Sequence, residues 1–296
     1  MSILANSAQY MASVPGRDNT PERETFRKFF DCWLSQQNQH LDDLITASTH
    51  YQQNTTTHST PLEDDETLLR SLIHRVIHHY EDYYRAKSTW AKHDVLAMLC
   101  PSWRSSLEDA FLWIGGWRPT MAFHLLYSKS GLQLEDRLAD LICGLSTGDL
   151  ADLSPTQLAQ ADELQRRTVR EEKELTGKLA KQQERVADSS MVELSHIATE
   201  LIRSGQTSQN AAGGGGLEDG RVESTLAPKE EGLEEVLARA DDLRLRTLKA
   251  VIEILTPIQA VHFLIAAAEL HQRLHEWGKQ RDAKQNGAAG GTDQTL

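Results

Sequence analysis

The chain has 296 residues, of which 39% are hydrophobic, and its 43 acidic side chains outnumber its 31 basic ones to give a net charge of −12. This apolar share is large enough for a sizeable core, and the length fits one large helical domain or two average ones. Because such an acidic surface repels nucleic-acid phosphates, composition argues against binding DNA through a broad basic face.

Cysteine usage indicates a reducing compartment. Cys32, Cys100 and Cys143 are far apart in the sequence and form no Cys-x-x-Cys pair. Their odd number and wide spacing argue against a disulfide framework, so each is predicted to be a small core residue.

No targeting or membrane segment is expected. The first 30 residues contain no basic stretch followed by an apolar run, so they do not resemble a secretory signal. The most apolar stretch, residues 250–268, is interrupted by Glu253 and Pro257 and is not expected to span a membrane. Nucleus and cytoplasm are therefore the expected locations.

Two long helices are predicted in the first third of the chain. Residues 1–19 are small and polar and are expected to be disordered. Thr20-Pro21-Glu22 is typical of a helix start, and a polar loop at 54–60 is expected to end that helix. A second helix is predicted to begin at Pro61 and the acidic run after it, a run interpreted as a solvated helix start. Its predicted buried stripe is Leu69, Leu72, Ile73, Val76, Tyr80, Tyr83 and Tyr84.

The central region is predicted to contain short helices followed by one long helix. Pro101, Gly115-Gly116 and Gly131 divide it into segments. The predicted short helices are 92–100, 104–114, 118–130 and 132–145. Ser154-Pro155 is predicted to start a helix that reaches towards Arg203. Its apolar residues recur in an eleven-residue pattern, which fits a straight bundle helix better than a left-handed dimer zipper.

The last third is predicted to be a flexible loop followed by two helices. Residues 204–230 are rich in Ser, Gln, Asn and Gly and are expected to form the loop. Helices are predicted at 231–255 and 257–280, and residues 283–296 are expected to be a disordered tail. Since no stretch alternates with period two, the predicted fold is all-α: a single large helical bundle over residues 20–282, with short helices around a Gly-Gly elbow.

The central segment resembles the signature of the germination-delay (seed dormancy control) domain of plants. The residues that carry the resemblance run from Trp103 to Pro119, and their core is Trp113-Ile114-Gly115-Gly116-Trp117-Arg118-Pro119. Two later blocks, Leu153–Thr168 and Leu255–Gly278, are also similar to the family. The same domain forms the C-terminal half of TGA-type bZIP transcription factors. The resemblance covers about residues 22–281 and implies an all-α regulatory domain without catalytic activity.

The resemblance also implies a type of action and a set of partners. A bZIP factor needs a basic helix and leucine heptads before this domain, whereas only Arg17 and Arg23 precede Glu24. Direct DNA binding is therefore not expected, and the chain resembles the stand-alone type. That type implies a role in seed dormancy and abscisic acid signalling, with clade A protein phosphatases 2C as partners and haem as a cofactor. The alternative is a transcriptional co-regulator that pairs with TGA-type bZIP factors or their coactivator proteins in the nucleus.

Candidate partner-binding residues are Phe29, Phe30, Trp33 and Arg118. The aromatic cluster in the first helix exceeds what one buried stripe requires, which indicates a contact surface. The alternative for these aromatics is core packing. Arg118 either presents its charge to a partner or forms an internal ion pair with Glu108. The Gly115-Gly116 pair is expected to end a helix with a left-handed residue.

Candidate cofactor ligands are His271 and His275, four residues apart among the apolar residues of the last helix. Two imidazoles on such a face are predicted to be haem ligands, and the alternative is two histidines hydrogen-bonded within the bundle. A second pair, His74 and His78, is predicted to lie on a solvated polar face. No metal site is predicted.

No catalytic motif is found. A nucleophile elbow, a zinc-protease motif and dinucleotide-binding glycines are missing from the sequence, and Gly213–Gly216 is not followed by the Lys-Ser/Thr of a phosphate loop. The Asp241-Asp242 pair is interpreted as a solvated acidic face. The sequence therefore predicts a protein that is not an enzyme.

Overall fold

The computed structural model describes residues 22–58, 63–129, 153–203 and 215–289. The helices in these ranges are α1 (Glu22–His58), α2 (Glu63–Ala91), α3 (Val95–Leu99), α4 (Ser106–Asp109), α5 (Met121–Lys129), α6 (Pro155–Glu184), α7 (Ser189–Arg203), α8 (Gly215–Ile254) and α9 (Pro257–Ala289). The one extended feature in the described part of the chain is an isolated bridge between Trp113 and Gly116. The predicted all-α bundle is confirmed.

Several helix boundaries differ from the sequence prediction. Helix α1 continues through most of the predicted loop at 54–60, and the predicted helix 104–114 is reduced to the single turn of α4. The predicted long helix is divided into α6 and α7 by a 3-10 turn, Arg185–Ala187. The predicted helix 132–145 lies outside the described residues.

The segment predicted as a flexible loop is partly helical. Helix α8 begins at Gly215, well before the predicted start at 231, and α9 extends into the predicted tail as far as Ala289. Ion pairs hold the early part of α8 against neighbouring elements: Arg221 pairs with Glu193 of α7, and Lys229 pairs with Asp188. These contacts are non-local, so the local composition did not reveal them. Residues 204–214 lie outside the described part.

Two hydrophobic cores occupy the bundle, and Tyr80 of α2 packs against both. The first core joins the later part of α1 with α5, the beginnings of α2, α6 and α9, and the end of α8. Its most deeply buried members include Leu44, Leu69, Phe123, Leu126, Val251 and Phe263. The second core is formed mainly by the beginning of α1, the end of α2, the short helix α3 and the middle of α8. Its members include Phe26, Phe30, Trp33, Met98, Trp103 and Leu237.

The predicted faces of α2 are confirmed. Five residues of the predicted stripe are buried, and Ile73 and Tyr80 pack partly against the core. His74 and His78 are exposed on the opposite face, where His78 contacts Glu81. No helix among the described residues has the length and apolar character needed to cross a membrane.

The prediction for the cysteines is wrong where the structure describes them. Cys32 and Cys100 are free and exposed. Cys32 directly precedes the buried Trp33 on α1, and one residue of a helix turns the side chain through about 100°, towards solvent. Cys143 lies outside the described residues.

Candidate functional site

The Gly-Gly elbow is a tight two-residue turn. Ile114 and Gly115 have φ angles of 46° and 66°, both in the left-handed region. The turn is closed by two backbone hydrogen bonds: the Trp113 amide donates to the Gly116 carbonyl over 2.7 Å, and the Gly116 amide donates to the Trp113 carbonyl over 3.2 Å. Two central residues with positive φ are typical of a type I′ turn. The expected left-handed residue is confirmed, although the preceding helix ends earlier, at Asp109.

Buried cations hold this turn. Arg244 of α8 has no exposed surface, and it donates hydrogen bonds to the carbonyls of Trp113, Ile114 (2.9 Å) and Trp117 (2.6 Å). Lys87 of α2 donates to the Gly115 carbonyl over 2.8 Å. Four carbonyl oxygens around the elbow are therefore paired with side-chain cations that come from two different helices.

Asp241 balances part of this charge. Its Oδ1 atom accepts from Lys87 at 3.0 Å and from Arg244 at 2.5 Å. Burial lowers the pKa of Lys87 to about 8, although the Asp241 carboxylate opposes that shift. We call Lys87, Asp241 and Arg244 the charged cluster. Breaking one member of such a buried network leaves an uncompensated charge or an unpaired carbonyl, which costs more than any exposed ion pair contributes.

Both glycines of the elbow are required by close contacts. A Cβ atom on Gly115 would lie 2.5 Å from the Met98 carbonyl oxygen, and one on Gly116 would lie 2.8 Å from the guanidinium carbon of Arg244. The Gly-Gly pair therefore lets the backbone approach α3 on one side and the charged cluster on the other.

A second anchor connects α4 to α9. Ser105 and Glu108 form a capping box at the start of α4, and His275 contacts Glu108 Oε2 through its Nδ1 atom at 3.0 Å. Burial alone would raise the pKa of Glu108, but the hydrogen bonds from His275 and Ser105 outweigh burial and lower it to about 2. Asp282 of α9 accepts a hydrogen bond from the Ser106 amide at 2.9 Å. Helix α9 thus holds α4 in place through His275, inside the family-like block, and Asp282, just after it.

A cavity of about 170 Å³ lies beside these two anchors. Its lining is mostly apolar and comes from α1, α2, α5, α8, α9 and the segment around α4. Phe30 and Phe263 are fully buried at its inner end, whereas Phe111 and Leu270 are 61% and 46% exposed at its rim. Polar groups reach it from Arg104, Glu108 and His271. The cavity is therefore an apolar pocket with an open mouth and a few polar groups.

Seven buried polar side-chain atoms have no hydrogen-bond partner among the described residues. Two of them, Arg104 Nε and Glu108 Oε1, belong to side chains that line the cavity. The other five are Gln37 Oε1, His79 Nε2, Trp103 Nε1, Gln272 Nε2 and His275 Nε2. Because buried polar atoms are normally paired, the first two mark the polar part of the cavity lining.

The two predicted haem ligands occupy different positions. His271 lines the cavity, and burial lowers its pKa to about 4, which keeps the imidazole neutral at physiological pH. His275 is buried behind the cavity against Glu108. Among the described residues no cluster of three His, Cys, Asp or Glu side chains is arranged to hold a metal ion.

The predicted partner-binding residues divide between core and surface. Phe30 and Trp33 are buried, as the core-packing alternative expected, and both line the cavity. Phe29 is partly buried at the edge of the second core. Arg118 is exposed, and its Nε atom pairs with Glu172 at 2.7 Å. The predicted ion pair between Arg118 and Glu108 is therefore wrong. Glu108 is already bound by Ser105 and His275.

The charged cluster was missed by sequence reasoning. Asp241-Asp242 was interpreted as a solvated face, but only Asp242 is exposed. A signal was present: Asp241 and Arg244 follow Leu237 and precede Leu248 at helical spacing, so they fall on the buried stripe of α8. Two opposite charges three residues apart on an apolar stripe are typical of an internal ion pair.

Comparison with known proteins identifies the family. The family model described as "DOG1: Seed dormancy control" matches residues 40–128. Protein DOG1-like 3 of Arabidopsis thaliana is 30% identical over 262 residues, which cover 86% of this chain and 84% of that protein. Protein DOG1-like 1 of the same plant is 32% identical over 284 residues, which cover 88% of this chain and 92% of that protein.

Similarity extends to transcription factors. Transcription factor TGA1 of Arabidopsis thaliana is 28% identical over 254 residues, which cover 86% of this chain and 55% of the factor. The elbow, the charged cluster and the α4 anchor thus lie in a chain whose relatives include regulatory proteins. On the identity and coverage of the DOG1-like proteins, this chain belongs to the seed dormancy control (DOG1) family.

Proposed function

We propose that this protein is a non-enzymatic regulator of seed dormancy and abscisic acid signalling, acts in the nucleus and cytoplasm, and works by binding clade A protein phosphatases 2C. Family membership is the observation that carries the proposal. A relative with the printed name Protein RESPONSE TO ABA AND SALT 1 is 26% identical over 266 residues, which supports the hormone assignment. The charged cluster is sealed inside the bundle, where it holds backbone carbonyls instead of facing a substrate.

We assign the phosphatase contact to the outer face of the first turns of α1. Phe29 is partly exposed there, and Asp31 and Cys32 are exposed beside it. Phe30 and Trp33 support this face from the core side, so their substitution would act mainly through stability. Arg118 contributes through its exposed guanidinium, which remains anchored to Glu172.

An affinity pull-down from maturing-seed extract tests the proposal. The wild-type protein and Asp31→Arg are compared with Glu231→Arg, a matched charge reversal at an exposed position on α8. We expect phosphatases of the 2C type to be retained by the wild type and Glu231→Arg, and lost with Asp31→Arg. Equal retention by all three variants would exclude the α1 face, and no phosphatase in any preparation would exclude the proposed partner.

We further propose that haem modulates this binding. His271 presents a neutral imidazole to the cavity, whereas His275 is buried against the Glu108 carboxylate. Of the two histidines only His271 lines the cavity, so it is the residue that would hold haem there. His271 is therefore the proposed ligand. When bound, haem would supply an iron centre able to bind small gases or change oxidation state.

The haem proposal is tested by the Soret absorption band of the reconstituted protein. We expect His271→Ala to lose the band and His275→Ala to retain a weakened one. A band unchanged by both substitutions would place the haem elsewhere. Repeating the pull-down with and without haem then shows whether occupancy changes phosphatase retention.

The alternative function is a transcriptional co-regulator that pairs with TGA-type factors. The similarity to TGA1 over 86% of this chain is consistent with it. Retention of bZIP factors with no phosphatase, together with no DNA gel shift by the protein alone, would support this alternative over the first proposal.

A further inference from the structure

We propose that the cavity binds a small neutral apolar molecule that carries a hydroxyl group, an alcohol or a phenol, and that Glu108 and Arg104 hold the hydroxyl. This site is independent of phosphatase binding, since it depends on the interior of the bundle and not on the outer face of α1. Haem held by His271 would occupy the same cavity, so the haem-free protein is the form that would take this ligand.

The size and lining of the cavity fit an apolar molecule about as large as one aromatic ring. Its volume is about 170 Å³, and an engineered apolar cavity of about 150 Å³ stays dry and binds benzene. Aromatic side chains dominate its inner part, where Phe30, Trp33, Tyr83 and Phe263 are all buried. The open rim at Phe111 and Leu270 leaves room for a substituent on the ring.

The polar end of the cavity has one acceptor and one donor in need of a partner. Glu108 is 3% exposed, and its Oε2 atom already accepts from the Ser105 amide (2.8 Å) and hydroxyl (2.7 Å) and contacts His275. Its Oε1 atom has no partner among the described residues, and neither does Arg104 Nε. Both side chains line the cavity.

We infer that one hydroxyl group pairs with both Glu108 Oε1 and Arg104 Nε. It donates its proton to Glu108 Oε1 and accepts from Arg104 Nε through an oxygen lone pair. A buried acceptor left unpaired costs about 1–3 kcal/mol, so a ligand that pairs it gains affinity over one that does not.

Other head groups fit this pair less well. A carboxylate has no proton to donate and is repelled by the ionised Glu108, whose pKa lies far below neutral pH. An ammonium group cannot accept from Arg104 and is repelled by its charge. A plain hydrocarbon leaves both protein atoms unpaired. The neutral alcohol is therefore the preferred class.

Isothermal titration of the haem-free full chain tests this selectivity with ligands that share one ring: benzyl alcohol, benzoate, benzylammonium and toluene. We expect saturable binding of benzyl alcohol with a Kd at least tenfold lower than that of the other three. Tighter binding of benzoate, equal binding of toluene, or no binding of benzyl alcohol would each overturn the proposal.

Substitutions locate the site. Glu108→Gln can still accept from Ser105 and His275 through its amide oxygen, but it places an N–H donor where the free carboxylate oxygen lies. We expect it to bind benzyl alcohol at least tenfold more weakly and to prefer acetophenone, which only accepts. Ala267→Leu, which fills the cavity lining, should abolish binding of all ligands. Exposed Glu163→Gln is the matched control and should bind like the wild type. If benzyl alcohol binds Ala267→Leu normally, the cavity is not the site.

Discussion

Arg244 is fully buried, yet its guanidinium is almost saturated with acceptors. It contacts the carbonyls of Trp113, Ile114 and Trp117 and the carboxylate of Asp241. The planar fork of an arginine suits this geometry because it reaches several acceptors in fixed directions, which a lysine ammonium does not do. A single side chain of α8 thereby holds three of the four paired carbonyls around the elbow.

The first residue-scale prediction concerns this side chain. Arg244→Met leaves Asp241 and three carbonyls without that partner, and we expect the free energy of unfolding to fall by about 3–5 kcal/mol, as when one partner of a buried pair is removed. Urea denaturation measures the change. Arg246→Met is the control, because that arginine is half exposed and its ion pairs should contribute less than about 1 kcal/mol. Similar losses in the two variants would contradict the assigned role of the charged cluster.

The second prediction compares two glycines. Gly115→Ala would strain a backbone with φ of 66° and place Cβ against the Met98 carbonyl, so we expect a loss of at least about 2 kcal/mol in unfolding free energy. Gly177→Ala lies in the interior of α6 with no atom within 4 Å of the added Cβ, and should stabilise the protein by about 0.5–1 kcal/mol. Thermal unfolding of both variants shows whether the signs are opposite.

The third prediction concerns pH. The His79 ring stacks on Trp33 with centroids 4.6 Å apart, and burial lowers the pKa of His79 to about 3. Because the unfolded chain binds the proton more readily, the stability from neutral His79 is fully present above pH 6.5 and is lost as the pH falls towards 3. We expect about 1–2 kcal/mol of this stability to be lost between pH 7 and pH 5.

His79→Phe separates titration from packing. Phenylalanine keeps an aromatic ring against Trp33 but has no proton to bind, so denaturation midpoints should vary less with pH between 7 and 5 than in the wild type. His74→Phe, on the exposed face of α2, is the control and should keep the wild-type slope. If the denaturation midpoint of His79→Phe varies with pH as in the wild type, other groups dominate the pH dependence of stability. His271 would be one of them, since burial lowers its pKa to about 4.

At the scale of elements, α7 differs from the helices of the bundle. The described part of α7 packs chiefly on the early part of α8, and its apolar residues Val192 and Leu194 remain exposed or partly exposed. Its start depends on Asp188, which accepts hydrogen bonds from the Met191 amide (3.1 Å) and Ser190 (2.6 Å) and pairs with Lys229 of α8 (2.6 Å). Asp188 is therefore both the cap of α7 and its link to α8.

Removal of this carboxylate should loosen α7 alone. We expect Asp188→Ala to speed amide hydrogen exchange over residues 189–203 while leaving the exchange of α2 and α9 unchanged, because local and global opening are separate events. Asp188→Asn retains capping ability but loses the charge, and should have an intermediate effect. Faster exchange throughout the bundle would show that α7 belongs to the global cooperative unit.

At the scale of the whole molecule, two cores share one set of helices. Helices α1, α2, α6 and α8 contribute to both, and Tyr80 packs against both. The elbow joins the second core through Ile114, and residues of both cores line the cavity. The bundle therefore surrounds an open apolar cavity, with the proposed partner face on the outside of α1.

The net charge of the protein predicts how it behaves towards DNA. With a charge of −12, the protein should repel DNA at physiological salt. In a gel-shift assay we expect no retarded band for the protein alone on TGA-type target DNA, and a supershift of a TGA-bound complex only if the co-regulator alternative holds. A shift by the protein alone would contradict the charge argument.

The local features of this protein were determined by the sequence itself. Apolar spacing predicted the buried face of α2, Ser154-Pro155 predicted the start of α6, and Thr256-Pro257 predicted the start of α9. The Trp113–Pro119 string indicated the family and a left-handed residue at the Gly115-Gly116 pair, which the structure has at Gly115. These features depend on residues within a few positions of each other, so a local pattern is sufficient to reveal them.

The tertiary structure decided everything that depends on distant partners. Asp241 is a buried ion-pair partner only because Lys87, 154 positions away, meets it inside the bundle. His271 reaches the cavity while His275 does not, because α4 places Glu108 against the latter. Helix spacing alone places His271 and His275 on the same face of α9. The packing of one helix on another determines which polar atoms are paired and which are not.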